Sequence, residues 1–170
     1  MELYKRLFLM TFMVIFSLTG FSQSKRKADK NTNQWRYELE AVNVGVQGTY
    51  LIKAWTYAIK PDRAIEQAKK NAVHGIIFRG FAGKGRIPGQ KPLADINAEK
   101  EKEDFFKTFF QDGGKYLKFV TISNDGSVAA GDYLKVGKEY KIGVMVSVNV
   151  AELRKDLEDA NIIKGLSAGF

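Results

Sequence analysis

Two spacings of apolar residues divide the chain from Trp35 onward. Arg36-Tyr37-Glu38-Leu39-Glu40-Ala41 alternates with period two, and Val42, Val44 and Val46 continue the alternation on the opposite parity. A slip of one residue turns every later side chain to the other face, so the change of parity beside Gly45 and Gly48 predicts a bulge or sharp bend. Thr49 to Ala58 reads as a second strand. Leu51, Lys53, Trp55 and Tyr57 share one face and Tyr50, Ile52, Ala54 and Ala58 the other, which places this strand inside a sheet. At Lys60 the spacing changes. Pro61 suits a first helical position, Asp62 lies at the positive end of the dipole, and Ala64, Ile65, Ala68, Ala72 and Val73 recur at three- and four-residue steps. Three alanines on that face let a helix approach a sheet closely. His74 is expected to be the last helical residue, Gly75 the left-handed stop, and Gly75 to Phe81 a buried strand.

Ala82 to Ile96 holds Gly83, Gly85, Gly89, Pro88 and Pro92 and is predicted to be the longest loop. A second helix is expected over Asn97 to Asp112, with Phe105, Phe106, Phe109 and Phe110 as a broad aromatic face and Gly113-Gly114 as its stop. Lys115 to Ser123 reads as a strand, Asn124-Asp125-Gly126 as a turn, and Ser127 to Asp132 as too small and polar for a core. Tyr133 to Val136 is a short strand, Gly137-Lys138 a turn, and Glu139 to Val150 the longest strand, with Tyr140, Ile142, Val144, Val146 and Val148 alternating. Asn149 caps a last helix over Val150 to Asn161 with apolar Leu153, Leu157 and Ala160. The order predicts an α+β fold: a two-layer sandwich, mainly antiparallel sheet, with helices packed on one face.

Residues 1–22 stand apart from this pattern. Lys5 and Arg6 precede an apolar run from Leu7 to Leu18, and Gly20-Phe21-Ser22 supplies small residues for a signal peptidase, so cleavage is expected after Ser22. The run falls short of the ~20 residues of a membrane span, which leaves a retained anchor as the alternative reading. Lys25, Arg26, Lys27 and Lys30 oppose translocation by the logic of loop orientation. Residues 23–34 read as a disordered basic tether, and 35–170 as a single domain that buries about two-thirds of its unfolded surface. The chain has no cysteine, which excludes disulfides and a lipidated N-terminal cysteine. Its formal charge of +8 falls to +7 once Lys5, Arg6 and Glu2 leave with the leader. The charges are mixed along the chain, as on a solvated surface.

Candidate chemistry is sparse. Arg79-Gly80-Phe81-Ala82-Gly83-Lys84-Gly85-Arg86 sets cations among glycines whose N–H groups could converge on an anion, and Gly80 and Gly85 have the separation of a phosphate loop. Arg86 and Ile87 then stand where that loop needs lysine and a hydroxyl. The anion-binding candidates are Arg79, Lys84, Arg86 and Lys91. His74, the only histidine, is expected against the negative end of its helix. Asp95, Glu99, Glu101, Glu103 and Asp104 read as dipole-matching charge on a solvated helix start. No serine sits in a nucleophile elbow, no metal set is identified and no cofactor is expected. Lys115-Tyr116-Leu117-Lys118-Phe119 and Glu139-Tyr140-Lys141 interleave aromatic and basic residues, yet on alternating strands the aromatics go to the core, so nucleic acid is set aside as a partner.

The four-residue spacing of Ala64, Ala68 and Ala72, with Gly137-Lys138-Glu139-Tyr140-Lys141-Ile142-Gly143-Val144 and a helix opening Ala151-Glu152-Leu153, resembles small bacterial envelope proteins related to the N-terminal domain of the flagellar protein FlgT and its lipoprotein relatives. The likeness spans about residues 48–160 and departs at the glycine-rich loop, the phenylalanine helix and the missing lipidated cysteine. It implies an envelope accessory domain that binds other proteins, with no catalytic residue to carry over. The expectation is an exported, non-enzymatic protein, periplasmic or at the surface of a Gram-negative bacterium, with envelope proteins as partners. The alternative is an anion-binding module for acidic polysaccharide or lipid head groups.

Overall fold

The computed structural model describes residues 35–46 and 48–165. The leader expected over 1–22 and the tether over 23–34 lie outside them. Among the described residues one antiparallel sheet is built from β1 (Tyr37–Val44), β2 (Thr49–Ala58), β3 (Val120–Ile122), β4 (Tyr133–Val136) and β5 (Glu139–Asn149). The order is β1-β2-β5, and the second edge of β5 is shared end to end by β3, against Val146–Val148, and β4, against Glu139–Ile142. The parity shift is a bulge at Val42: Ala41 faces Ile52, and Asn43 faces Leu51. Beyond it Asn43 falls on the face of Leu51 and Val44 on the face of Tyr50. β2 is central, as its two-sided pattern requires.

Helix α1 (Pro61–Phe78) covers one face of the sheet. Ala64, Ala68 and Ala72 are fully buried beneath it, as are Ile52 and Ala54 of β2 and Val146 and Val148 of β5. Small side chains on the helix let the two layers close without voids. Two short helices follow, α2 (Ala98–Glu101) and α3 (Glu103–Phe109), and α4 (Val150–Asp159) ends the described chain with Leu153 and Leu157 buried. The Asn149 side chain accepts from the Glu152 N–H at 3.0 Å, and its amide donates to Glu152 Oε2 at 3.1 Å, a reciprocal cap.

Three expectations are corrected. The stop at Gly75 and the strand Gly75–Phe81 do not exist: α1 runs on to Phe78, with every residue from Asn71 to Phe78 buried. An apolar run reads equally as a buried strand or as a helix end covered on all sides, and here tertiary packing decides. Gly75 serves close approach. A Cβ there would collide with Leu39 Cδ1 and stand 3.0 Å from Tyr37 Cε2, so α1 lies on β1 through a glycine. The left-handed stop is Gly80, at φ +66°, whose N–H reaches the Gly75 carbonyl at 2.7 Å. The helix Asn97–Asp112 is broken at Lys102 (φ −116°, ψ 37°) into α2 and α3, a break the residue pattern does not mark. Lys115–Phe119 is a 3₁₀ turn, and only Val120–Ile122 is strand. Tyr116 and Phe119 are buried three residues apart, the spacing of a 3₁₀ face and not of a strand.

Candidate functional site

The glycine-rich stretch is an ordered hairpin. Phe81 and Gln90 exchange backbone hydrogen bonds at 2.9 and 3.0 Å, and Lys84 and Ile87 do so at 3.0 Å, with Gly85 at φ +61° turning the tip. A Cβ on Gly83 would lie 2.8 Å from the Gly89 nitrogen, and one on Gly89 2.7 Å from the Gly83 nitrogen, so these glycines let the two arms of the hairpin touch. The amides of Phe81, Lys84, Ile87 and Gln90 are therefore spent within it. At its base the Ile76 and Ile77 carbonyls of α1 accept from Leu93 and Ala94 at 3.2 and 2.9 Å, which satisfies the end of the helix.

The four candidate cations have different surroundings. The Arg79 guanidinium stands 4.4 Å from the centre of the Tyr37 ring, a cation–π contact, and the Lys84 ammonium is paired with Glu40. Arg86 and Lys91 are exposed. Lys84, followed by the Trp55 N–H at 3.3 Å, holds the Glu40 carboxyl below its ordinary range. Phe81 meets Tyr50 edge to face with ring centres 5.4 Å apart. Tyr50 and Glu40 belong to opposite faces of the β1–β2 pair, so the hairpin places one side-chain contact on each face of it.

His74 lies inside the helix and is 1% exposed. The Tyr37 hydroxyl lies 2.6 Å from Nδ1, and Glu99 Oε1 3.1 Å from Nε2. A neutral ring with its proton on Nε2 satisfies both contacts, accepting from Tyr37 and donating to Glu99. Burial lowers the histidine pKa against the opposing pull of Glu99, and burial raises that of the Tyr37 hydroxyl. Phe78 and Phe110 flank the imidazole, with ring centres 4.9 and 5.8 Å away. What this chain of bonds does is tie β1, α1 and α2 together. Glu99, read as a solvated charge, is one of its ends. The alternation that put Tyr37 inward with Leu39 and Ala41 was the available signal for the other end.

The open face of the sheet carries charge woven through aromatics. Trp55 faces Gly143 across the β2–β5 ladder, and a Cβ at Gly143 would stand 3.1 Å from its ring, so the indole lies over the glycine. The Lys53 and Lys141 ammonium groups stand 5.4 and 5.2 Å from the Trp55 ring, Lys53 pairs with Asp132 at 2.8 Å, and Lys141 contacts both Glu38 oxygens at 2.9 Å. The Glu38 bond raises the Lys141 pKa. Each of these cations already has its anion.

The second edge of the sheet differs from the first. All four residues of β4 are exposed, with Tyr133 at 41%, Leu134 at 45% and Val136 at 48%. Among the described residues no group of three or more His, Cys, Asp or Glu side chains is placed to hold a metal ion, and no helix is long and apolar enough to cross a membrane. No protein family, curated protein or solved structure matches this chain.

Proposed function

We propose that this chain is an exported accessory domain of a bacterial cell envelope that works through contact with other proteins and carries out no catalysis of its own. The observation behind this reading is the edge strand β4, which exposes three large apolar side chains within 4 residues. An exposed apolar edge is an aggregation hazard unless something uses it. The leader-like start supports export, and the likeness to FlgT-related envelope proteins supports an accessory role. The Tyr37–His74–Glu99 chain, with His74 buried at its centre, ties three elements together and fits a structural role.

Crosslinking in the native envelope, followed by affinity purification and mass spectrometry, tests the proposal with the mature chain and a version lacking Ser24–Gln34. Recovery of the same protein by both is the expected result. Recovery that needs the basic segment and vanishes in high salt would instead favour binding of acidic polysaccharide or lipid head groups through exposed cations such as Arg86 and Lys91.

A further inference from the structure

We propose that β4 accepts an extended acidic segment of a partner protein as an added strand. This rests on the reading of the chain as a contact domain and names the surface and the chemistry of the contact. The turn after β4 has two residues, Gly137 at φ +62° and Lys138 at negative φ, the arrangement of a type II′ hairpin. Such a hairpin closes on a pair that exchanges both backbone hydrogen bonds, here Val136 with Glu139. Two residues back, Leu134 does the same with Lys141, so the N–H and C=O of Lys135 point away from β5.

The side chains say what could lie there. Leu134 and Val136 fall on the open face with Lys141 and Glu139, and Tyr133 and Lys135 fall on the face of Ile142 and Tyr140. An incoming strand would set apolar side chains against Leu134 and Val136 and a carboxylate beside Lys135, with the exposed Lys138 at the strand end. The exposed Lys135 and Lys138 draw an acidic segment to this edge. A second copy of this chain gains little at so short an edge. Keeping the two faces continuous across a two-fold axis places either Lys135 opposite Lys135 or Leu134 opposite Leu134, along a strand of only 4 residues.

Fluorescence anisotropy with the full chain tests this, using a labelled peptide of about ten residues that alternates valine and glutamate. Saturable binding is expected, about tenfold or more stronger than for the valine–lysine counterpart, and lost when alternate peptide nitrogens are methylated. Lys135→Pro removes an outward-pointing N–H, a position where edge strands tolerate proline, and should abolish binding with an unchanged melting temperature. Lys135→Glu, which keeps the backbone, should reverse the preference between the two peptides. Equal binding of both peptides, undiminished binding by Lys135→Pro, or no binding up to about 1 mM peptide would overturn the proposal. So would a dimer in sedimentation that Lys135→Pro dissolves, since the edge would then belong to a second copy. If crosslinking recovers a partner equally well with Lys135→Pro, this edge is wrong and the contact-domain reading stands; if crosslinking recovers nothing, that broader reading fails.

Discussion

The two outer edges of this sheet are built on opposite principles. Beside β1 the 81–90 hairpin adds side-chain contacts: Phe81 packs on Tyr50 on one face, Lys84 pairs with Glu40 on the other, and the segment after the hairpin is tied to the end of α1 through the Ile76 and Ile77 carbonyls. At β4 the chain leaves 4 residues, three of them large and apolar, open to solvent. The short strand keeps enough backbone for one partner and too little for runaway stacking.

The contact of β1 with α1 depends on packing, so breaking it should cost the most. His74→Ala leaves a cavity and removes the ring nitrogens that meet the Tyr37 hydroxyl and Glu99, and should lower unfolding free energy by about 2–4 kcal/mol in urea titration. Gly75→Ala makes the Leu39 and Tyr37 side chains shift, a cost partly offset by the ~1 kcal/mol that alanine gains over glycine inside a helix, for an expected net loss of about 0.5–2 kcal/mol. A wild-type-like midpoint in that variant would mean that α1 does not need the close approach to β1. The pH dependence is a subtler probe of the same contact. Because the folded histidine titrates below its ordinary 6.5, the unfolded chain binds the proton first. Its contribution to stability is complete above about pH 6.5 and is lost as pH falls toward the folded value, a slope that His74→Gln should flatten in melts taken from pH 7 to 5.

Smaller effects belong to the surface. Lys84→Ala removes an exposed ion pair and should cost at most about 1 kcal/mol, while the Glu40 carboxyl, followed by NMR titration, moves back up toward its ordinary range. Leu134→Ser with Val136→Ser should change stability by no more than about 0.5 kcal/mol per site. A large loss there would show that β4 is core to the fold, and the contrast between the edges would collapse.

Much of this was legible in the residues. The Val42 bulge, the bounds of β2, the β4–β5 hairpin and the Asn149 cap all follow from local chemistry: parity, turn glycines and a side-chain acceptor. The antiparallel α+β sandwich follows from them. The failures share a cause. Gly75 looks like a stop because glycine usually ends a helix, and only the position of Leu39, far off in sequence, shows that it is there for clearance. Glu99 looks solvated because nothing near it in sequence marks His74 as its partner. Pairings between distant residues set each of these roles, and no local pattern carries them.

The pairing of β2 with β5 also sets an order of events. Thr49 is aligned with Asn149, so the ladder at the centre of the sheet joins the first third of the chain to its last. A chain emerging from its N-terminus has β1, β2 and α1 in hand long before β5 arrives with the buried Ile142, Val144, Val146 and Val148 that complete the core. Non-local closure of this kind slows folding. It also keeps an incomplete chain open, which is the state that any machinery threading it through a pore would require.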